Sequence, residues 1–450
     1  MRRDAAIKRA LGFDDVLIAP RETNVKPADV SLKTRLTKDI EMNLPFISAG
    51  MPHVTESKMA IAMAQLGGIG VIHGGMPLGK QVEEVRRVKR AEGNMVGNPI
   101  TISAEASLAE ALDLMTTYKV SGLPVVEASQ NVVGIITNRD IRFFEDYAKP
   151  VSELMSKDVI TVRDGVDHET VKRLLHEHRI EKLVVVDDQH RCTGLYTVKD
   201  IEKLSLNPNA TRDKNGRLRA AAAVGLGKDA LDRASAMADA GLDVVFVDVA
   251  QGQSREAVGT VSTIRQQRTT EVQIVAGNVA TPDAARSFID AGADAIKVGI
   301  GGMASSGARQ QLGVGMPQVT ALVEVFEQCD IAGVPVIVDG LYGCAATIAK
   351  AFAAGGASVV FGCNLAGAKE APGKLSYCEG KAYKTMGPAS APAATDPYKL
   401  GGHRGGGGAP LLGPVEPFLQ HVASDLKMAL AYAGAASIKD LAENAELVEI

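Results

Sequence analysis

The sequence predicts an α/β protein, a (β/α)8 TIM barrel interrupted by a tandem repeat. Three observations predict this fold. Eight short apolar runs alternate with helical patterns, two stretches match each other at an offset of 60 residues, and glycine or aspartate recurs directly after the apolar runs.

The eight apolar runs have the length of buried strands, and each is followed by a helical pattern. Continuous apolar strands that alternate with helices are typical of parallel sheets, and eight such units close into a barrel. Helices are predicted, for example, over 55–65 and 230–240. The predicted strands are residues 44–49, 68–73, 221–225, 244–249, 273–277, 295–299, 335–339 and 358–362.

The repeat interrupts the barrel after its second helix, which is predicted over residues 80–90. Loops of a barrel accept insertions because the rigid scaffold closes without them. We therefore expect a barrel domain formed by residues 1–94 and 207–450, and an inserted module formed by residues 95–206.

Composition and charge exclude several classes of partner. The 450 residues carry 49 basic and 53 acidic side chains, a near balance that argues against a nucleic-acid partner. No apolar run approaches the ~18 residues of a membrane span, and no apolar stretch follows the charged N-terminus. We expect no membrane partner and a cytoplasmic location. The 5 cysteines form no CxxC pair, and we expect no metal site.

The two units of the repeat are similar in order and in sequence. The segment G-I-I-T-N-R-D-I at 134–141 aligns with G-L-Y-T-V-K-D-I at 194–201. Each unit is predicted as a strand, an amphipathic helix, two further strands and the start of a helix. The unit resembles a CBS motif, and the pair resembles a tandem CBS (Bateman) module.

That resemblance implies that an adenine or guanine nucleotide binds in the cleft of the module. Asp140 and Asp200 would receive the ribose hydroxyls, with Thr137 and Thr197 nearby. A carboxylate suits this role because it accepts hydrogen bonds from both hydroxyls. The alternative is that both aspartates only cap the helices that follow them.

Two acidic residues stand at the ends of predicted barrel strands, where the chemistry of this fold lies. Asp248 and Asp339 each end an otherwise apolar strand, and glycine recurs at other strand ends. Glycine is expected where a ligand lies against the backbone. We expect both acids to contact a ligand, with a purely structural role as the alternative.

These residues, in this order, resemble the IMP dehydrogenase family, of which GMP reductase is a close relative. The similarity runs over nearly the whole chain and includes G-G-I-G-V-I-H at 67–73, A-G-N-V-A-T at 276–281 and G-V-G-M-P-Q at 313–318. It implies a purine nucleotide or nucleoside as substrate, NAD or NADP as cofactor, and homotetramers or octamers. It gives no firm expectation of a monovalent cation.

The resemblance also assigns site positions, one set for each ligand. The positions that would contact the dinucleotide are Asp248, Asn278, Gly299 and Gly301. The positions that would hold the purine nucleotide are Met51, Asp339 (through the ribose hydroxyls), Gly340, Gly362, Cys363, Tyr383, Met386 and Gly387.

Several residues differ from the family's at positions that take part in a single reaction, the oxidation of IMP. The family's dehydrogenase step uses a thiolate that attacks C2 of the hypoxanthine ring, and this sequence has Ser306 at that position. An alcohol is a far weaker nucleophile near neutral pH because almost none of it is ionised. The Arg-Tyr pair that activates water survives only as Tyr398. Leu341 places a bulky side chain where backbone should approach an anion, and Cys363 replaces a hydroxyl with a weak thiol donor.

Because these departures cluster, the sequence favours a diverged family member that binds a purine nucleotide or nucleoside and has lost ordinary NAD-linked IMP oxidation. Three alternatives stay open. The chain is an active IMP dehydrogenase or NADPH-dependent GMP reductase that uses an altered loop or Cys363, an enzyme acting on the purine–sugar bond, or a non-catalytic nucleotide-responsive partner of a paralogue.

Overall fold

The computed structural model describes residues 7–92, 95–97, 99–163, 165–267, 272–302, 306, 308–341, 343–378, 380–385 and 408–450. The chain divides into two compact units. One comprises Met1–Ala91, Asn209–Asp213 and Leu218–Ile450, and the other comprises Glu92–Pro208 and Lys214–Arg217.

The first unit is a closed barrel of eight parallel strands, which confirms the predicted fold class. The strands pair in chain order, and the last closes onto the first. Seven of them lie inside the predicted runs, and β5 extends two residues further. The strands are β1 (Phe46–Ser48), β2 (Ile69–Ile72), β3 (Ala221–Val224), β4 (Val244–Asp248), β5 (Gln273–Val279), β6 (Ala295–Val298), β7 (Val336–Val338) and β8 (Ser358–Phe361).

Each strand is followed by a helix, and apolar side chains of the helices pack against the strands. The helices are α1 (Ser57–Gln65), α2 (Leu78–Ala91), α3 (Gly227–Asp239), α4 (Arg255–Gln267), α5 (Pro282–Asp290), α6 (Gln318–Ile331), α7 (Ala345–Ala353) and α8 (Val415–Tyr432). Inward-pointing residues such as Ile47, Phe246 and Ile337 fill the barrel interior as a separate core. Because both faces of the strands are covered, they are apolar throughout, which explains the continuous apolar runs.

Shorter elements surround the barrel. They include the antiparallel pairs Val16–Ile18 with Leu447–Glu449 and Thr34–Arg35 with Glu41–Met42, a three-stranded sheet of Leu375–Cys378, Lys381–Thr385 and Gly408–Pro410, the helix Ile438–Asn444, the π-helical turn Ala308–Leu312, and the 3-10 turns Phe13–Asp15, Pro27–Asp29 and Cys363–Leu365.

The second unit contains two small sheets with short helices. One sheet has Ile102–Ser103, Gly122–Val126 and Val132–Thr137, and the other has Val96–Gly97, Thr161–Arg163, Lys182–Val186 and Cys192–Thr197. The helices are Leu108–Tyr118, Asn138–Ile141, Val151–Leu154, His168–Glu177 and Val198–Leu206.

The backbone of this unit repeats at the offset seen in the sequence. Lys119 and Arg179 follow equivalent helices with φ angles of 54° and 53°, and Gln130 and His190 occupy equivalent turns with φ angles of 64° and 63°. Left-handed non-glycine residues are uncommon, so two matched pairs mark one structural unit used twice. Within the described part of the chain, every helix is too short or too polar to cross a membrane.

Candidate active site

A cavity of about 210 Å³ lies at the carboxyl ends of the barrel strands. Its floor is apolar and its wall carries four polar side chains, a combination typical of small-molecule sites. The floor consists of Ile47, Val71, Phe246 and Val360; the polar residues are Asp248, Asn278, Lys297 and Asp339; the rest of the lining is Ala49, Gly50, Met51, Val249, Ala250 and Gly362.

Lys297 joins the two acidic residues of this wall. Its Nζ lies 2.8 Å from Oδ1 of Asp248 and 2.6 Å from Oδ2 of Asp339. Lys297 is in β6, Asp248 ends β4 and Asp339 directly follows β7, so the barrel itself brings the three together. Gly277 makes room for the lysine, because a Cβ at that position would lie 2.7 Å from the Cβ of Lys297.

The opposite charges of Lys297 and Asp339 hold these two groups ionised. Burial by itself lowers the pKa of Lys297, but the carboxylates of Asp248 and Asp339 outweigh it and the pKa is raised. Burial by itself raises the pKa of Asp339, but Lys297 and the amide of Asn278 outweigh it and the pKa is lowered. Asp339 is therefore an ionised hydrogen-bond acceptor at neutral pH.

Asn278 is positioned by an irregularity in the barrel. The register between β5 and β6 shifts between Gly277 and Val279, so Asn278 is an extra residue there. Its Nδ2 donates to the carbonyl of Gly299 at 2.7 Å and to Asp339 at 3.0 Å. Its Oδ1 is buried and has no hydrogen-bond partner, so a ligand that donates a hydrogen bond would satisfy it.

Gly299 and Gly301 have a packing reason to be glycine. A Cβ at Gly299 would lie 2.1 Å from the carbonyl oxygen of Asp339, and one at Gly301 would lie 2.6 Å from the Cα of Gly315. Both have positive φ angles, of 155° and 64°. These glycines allow the loops after β6 and β7 to approach closely, and neither lines the described cavity.

The sequence reasoning missed Lys297, although a signal was present. Lys297 is the charged residue of the otherwise apolar strand A-I-K-V. A lysine in a buried strand needs a paired charge, which the two flanking acids supply. Gln318 was also missed as a supporting residue, and its Nε2 donates to the carbonyls of Val298 and Asp339 at 3.0 and 3.1 Å.

The structure gathers part of the predicted site. Met51, Asp248, Asn278, Asp339 and Gly362 line the cavity. Gly340 and Cys363 are next to lining residues, whereas Tyr383 lies in the strand Lys381–Thr385, outside the cavity lining. Met386, Gly387 and Tyr398 lie outside the described residues.

Ser306, the residue at the predicted nucleophile position, is half-buried, and its carbonyl accepts a hydrogen bond from the amide of Gln310. A thiol with a basic neighbour occurs elsewhere at the same end of the barrel. Sγ of Cys363 lies 3.6 Å from Nε2 of His53. Burial raises the pKa of the Cys363 thiol, so its ionisation depends on a base such as His53.

The expectation for Leu341 was wrong. The residue is 6% exposed and its side chain packs in the core between strands and helices, so it does not project toward a ligand. Gly340, with a φ angle of 85°, turns the chain after Asp339 and directs the next side chain inward.

A second group of charges lies beside the first two strands of the barrel. Oε1 of Glu56 is 2.8 Å from Nζ of Lys80 and 3.7 Å from Nε2 of His73. His73 lowers the pKa of Glu56 most, burial opposes it, and Lys80 adds to it, so that the pKa is lowered to about 2. No group of three metal-ligating acids, cysteines or histidines occurs among the residues that the structure describes.

The inserted unit has a cleft of its own, of about 640 Å³. Asp140 and Thr137 line it, together with the cations Arg139, Arg142, Lys182 and Lys199, the acids Asp158 and Glu181, and Phe143. Thr137, rather than Asp140, is the cap of the following helix. Oδ2 of Asp140 accepts hydrogen bonds from the amide and hydroxyl of Thr137 at 2.8 and 2.6 Å.

The eight-stranded barrel defines an α/β-barrel protein with a polar cavity at the carboxyl ends of the strands. The family model "IMP dehydrogenase / GMP reductase domain" matches residues 10–450. The chain belongs to the IMP dehydrogenase / GMP reductase family.

Individual relatives are similar over nearly their whole length. The chain is 42% identical to an inosine-5'-monophosphate dehydrogenase of Aquifex aeolicus (strain VF5), covering 99% of this chain and 94% of that one. It is 45% identical to one of Rhizobium tropici, covering 98% and 92%. A GMP reductase variant of Trypanosoma brucei, solved in complex with guanosine 5'-monophosphate, superposes with a TM-score of 0.87 at 32% identity over 100% of this chain and 97% of that chain.

Membership of this family places the chain in purine nucleotide metabolism. The prediction that ordinary IMP oxidation has been lost is not shown by these similarities. They favour the alternative of an active oxidoreductase, because the similar proteins carry the names of working enzymes.

Proposed function

We propose that the chain is an oxidoreductase that acts on IMP or GMP at the mouth of the barrel, with NAD or NADP as its cofactor. The observation that carries the proposal is the cluster of Asp248, Lys297 and Asp339 in the cavity wall, in a chain 42% identical to a named IMP dehydrogenase over 99% of its length. In IMP oxidation a hydride leaves C2 of the base, oxygen from water replaces it, and a proton is released.

The nucleotide would be oriented by its ribose. Asp339 offers ionised carboxylate oxygens to the two sugar hydroxyls, and Lys297 holds that carboxylate in place. Met51 and the apolar floor of the cavity give the base a surface to pack on.

The residues of the cavity wall fit a dinucleotide as well as a nucleotide. The buried Oδ1 of Asn278 has no partner and suits a hydroxyl or carboxamide N–H donor, and Asp248 offers further acceptor oxygens at the same wall. A dinucleotide held by these residues would supply the hydride acceptor of the reaction.

The nucleophile that this function requires is supplied by Cys363. His53, 3.6 Å from its Sγ, takes the thiol proton, and the thiolate then adds to C2 of the base. Ser306 does not serve, because its hydroxyl stays protonated near neutral pH without a positioned base.

A second candidate function is favoured by Ser306 itself. In that case the chain binds a purine nucleotide without hydride transfer, acting on the purine–sugar bond or as a nucleotide-responsive partner of a paralogue. Asp339 and the cavity would bind the nucleotide equally well in this case. A protein that does not transfer hydride needs no thiol at position 306, which agrees with the serine found there.

Turnover measurements separate the two candidates. The full chain is incubated with IMP and NAD, and separately with GMP and NADPH, while absorbance of the reduced cofactor is followed. The proposal expects turnover that Cys363→Ala abolishes and that Cys192→Ala, a cysteine of the inserted unit, leaves unchanged. Absence of turnover with both substrate pairs, together with retained IMP binding by calorimetry, would overturn the proposal and favour the second candidate.

A reactive analogue identifies the nucleophile. Incubation with a 6-chloropurine nucleotide followed by peptide mass spectrometry should place the adduct on Cys363. An adduct on Ser306, or none on any cysteine, contradicts the assignment. Ser306→Cys restores the residue of the family and should raise turnover if the loop after β6 still approaches the base.

For the inserted unit we propose regulation by an adenine or guanine nucleotide. Four cations of its cleft suit the phosphates, and Asp140 suits the ribose. Calorimetric titration with ATP and GTP of the wild type and of Asp140→Asn tests this, and unchanged affinity in the variant counts against it. By resemblance we also expect homotetramers that pair into octamers in the cytoplasm, which light scattering with and without nucleotide would measure.

A further inference from the structure

Gln318 has an unusual position for a polar side chain at the start of a helix. It is the first residue of α6, yet it is fully buried. Its Nε2 donates to two carbonyls at once, that of Val298 at 3.0 Å and that of Asp339 at 3.1 Å. Val298 ends β6 and Asp339 directly follows β7, so one amide joins the ends of two neighbouring barrel strands.

The same amide lies against the loop that follows β6. A Cβ built on Gly302 would lie 1.9 Å from Oε1 of Gln318, and one built on Gly299 would lie 3.4 Å from its Nε2. A side chain at position 302 would therefore push the amide away from the two carbonyls. Oε1 of Gln318 is buried and has no hydrogen-bond partner among the described residues, so packing and the two donated hydrogen bonds hold the amide in place.

A second amide joins the same two segments from the side of the cavity. Nδ2 of Asn278 donates to the carbonyl of Gly299 at 2.7 Å and to the carboxylate of Asp339 at 3.0 Å. Asn278 lines the cavity and can contact a ligand, whereas Gln318 is not part of the cavity lining. The contacts of Gln318 are thus internal, and its amide can act on a ligand only through the residues that it holds.

We propose that Gln318 is a positioning residue that couples the loop after β6 to the ribose acceptor Asp339. The inference rests on the proposed binding of a nucleotide at Asp339. A ribose bound by Asp339 restrains that residue, and the amide of Gln318 passes the restraint to the loop that leads to Ser306. The anchored loop in turn fixes the position of the Asp339 main chain, and thereby the position of the base. A misplacement of about 1 Å in such a position can cost about 100-fold in rate.

A kinetic comparison tests this role. Gln318→Met keeps nearly the volume of the side chain and removes the amide donor. With IMP and NAD we expect kcat to fall about tenfold or more and KM for IMP to change less than about threefold, because the carboxylate that binds the ribose is retained. Gln273→Met is the matched control and should leave both constants unchanged. Oε1 of Gln273 is also buried without a partner among the described residues, but Gln273 begins β5 at the amino end of the barrel.

A reporter in the loop measures the coupling without turnover. In Ser306→Cys, the rate of alkylation at position 306 by iodoacetamide is followed by peptide mass spectrometry, with and without saturating IMP. IMP should slow alkylation in the reporter and in the reporter with Gln273→Met. Addition of Gln318→Met should reduce this protection by about tenfold. Gly302→Ala should act as Gln318→Met does, because its methyl group displaces the amide.

The outcomes separate this inference from the proposed function. Protection by IMP that is unchanged in Gln318→Met overturns the coupling, whether or not the chain oxidises IMP. Protection that is lost in Gln318→Met, in a chain without turnover, supports the coupling and overturns only the proposed oxidation. If Gln318→Met lowers IMP affinity in calorimetry as much as it lowers protection, the residue only stabilises the site and the inference is overturned. If the wild type does not bind IMP, both are overturned.

Discussion

The Nζ atom of Lys297 lies 2.6 Å from Oδ2 of Asp339 and contacts Asp248 on its other side. A buried cation between two carboxylates is stable only as a group, because removal of one member leaves an uncompensated charge. This relationship holds the carboxylate of Asp339 ionised and in a fixed position.

Lys297→Met should weaken nucleotide binding in a pH-dependent way. Without the lysine, the two carboxylates repel each other and burial is no longer offset, so the pKa of Asp339 rises above its lowered native value. IMP affinity measured by calorimetry should fall about tenfold at pH 7 and recover as pH rises, since the ionised carboxylate is the better acceptor. The wild type should show a flat profile.

Lys80→Met is the control for this variant, because Lys80 pairs with Glu56 outside the cavity. Its IMP affinity should match that of the wild type across the same pH range. A flat pH profile for Lys297→Met would show that the lysine does not control Asp339.

Gly299→Ala should destabilise the fold and disturb the site together. The added methyl group would lie 2.1 Å from the carbonyl oxygen of Asp339, and the φ angle of 155° is unfavourable for alanine. We expect a loss of about 2–4 kcal/mol in the free energy of unfolding, measured by denaturant titration, with weaker IMP binding.

Gly79→Ala provides the opposite case in the same assay. Gly79 lies in α2 with nothing within 4 Å of an added Cβ, so the substitution should stabilise the protein by about 0.5–1 kcal/mol. Equal effects of the two substitutions would contradict the packing reason given for Gly299.

Leu341→Ala should affect stability and leave binding unchanged. The side chain is 6% exposed in the core, so its truncation should cost about 2–4 kcal/mol by removing buried contacts. Thermal and denaturant unfolding measure this cost, and IMP titration at a temperature where the variant is folded measures binding. A large gain in IMP affinity would mean that Leu341 obstructs the ligand after all.

Glu56 should make stability depend on acid pH. Its pKa is lowered to about 2 by His73 and Lys80, against 4.5 for an ordinary glutamate. A lowered native pKa contributes stability above the unfolded value, and this is lost as pH falls from about 4.5 toward 2. Glu56→Gln should therefore cost about 1–2 kcal/mol at pH 7 and progressively less at acid pH.

The exposed Glu83 serves as a comparison for Glu56, since its ion pairs with Arg87 and Arg90 lie on the surface. Glu83→Gln should change the free energy of unfolding by less than about 0.5 kcal/mol at any of these pH values. If Glu56→Gln lowered the free energy of unfolding by the same amount at pH 2 as at pH 7, the ion pairs of Glu56 would not be the source of its stabilising effect.

The sequence alone determined the barrel, its eight strands and the repeat, because each of these produces a recognisable pattern along the chain. Buried parallel strands are apolar throughout, and a duplicated unit shows itself at a constant offset. Asp248 and Asp339 were also predictable, since an acid that ends an apolar strand is conspicuous. The similarity to the family identified Asn278 as well.

Only the tertiary structure decided how these residues combine. Lys297 lies 49 residues from Asp248 and 42 from Asp339 in the sequence, and no local pattern relates them. Leu341 turns into the core, and His53, in the loop after β1, approaches Cys363, in the turn after β8. These contacts depend on the closure of the barrel, which brings the ends of distant strands to one edge, and on loop conformations that short-range sequence preferences do not specify.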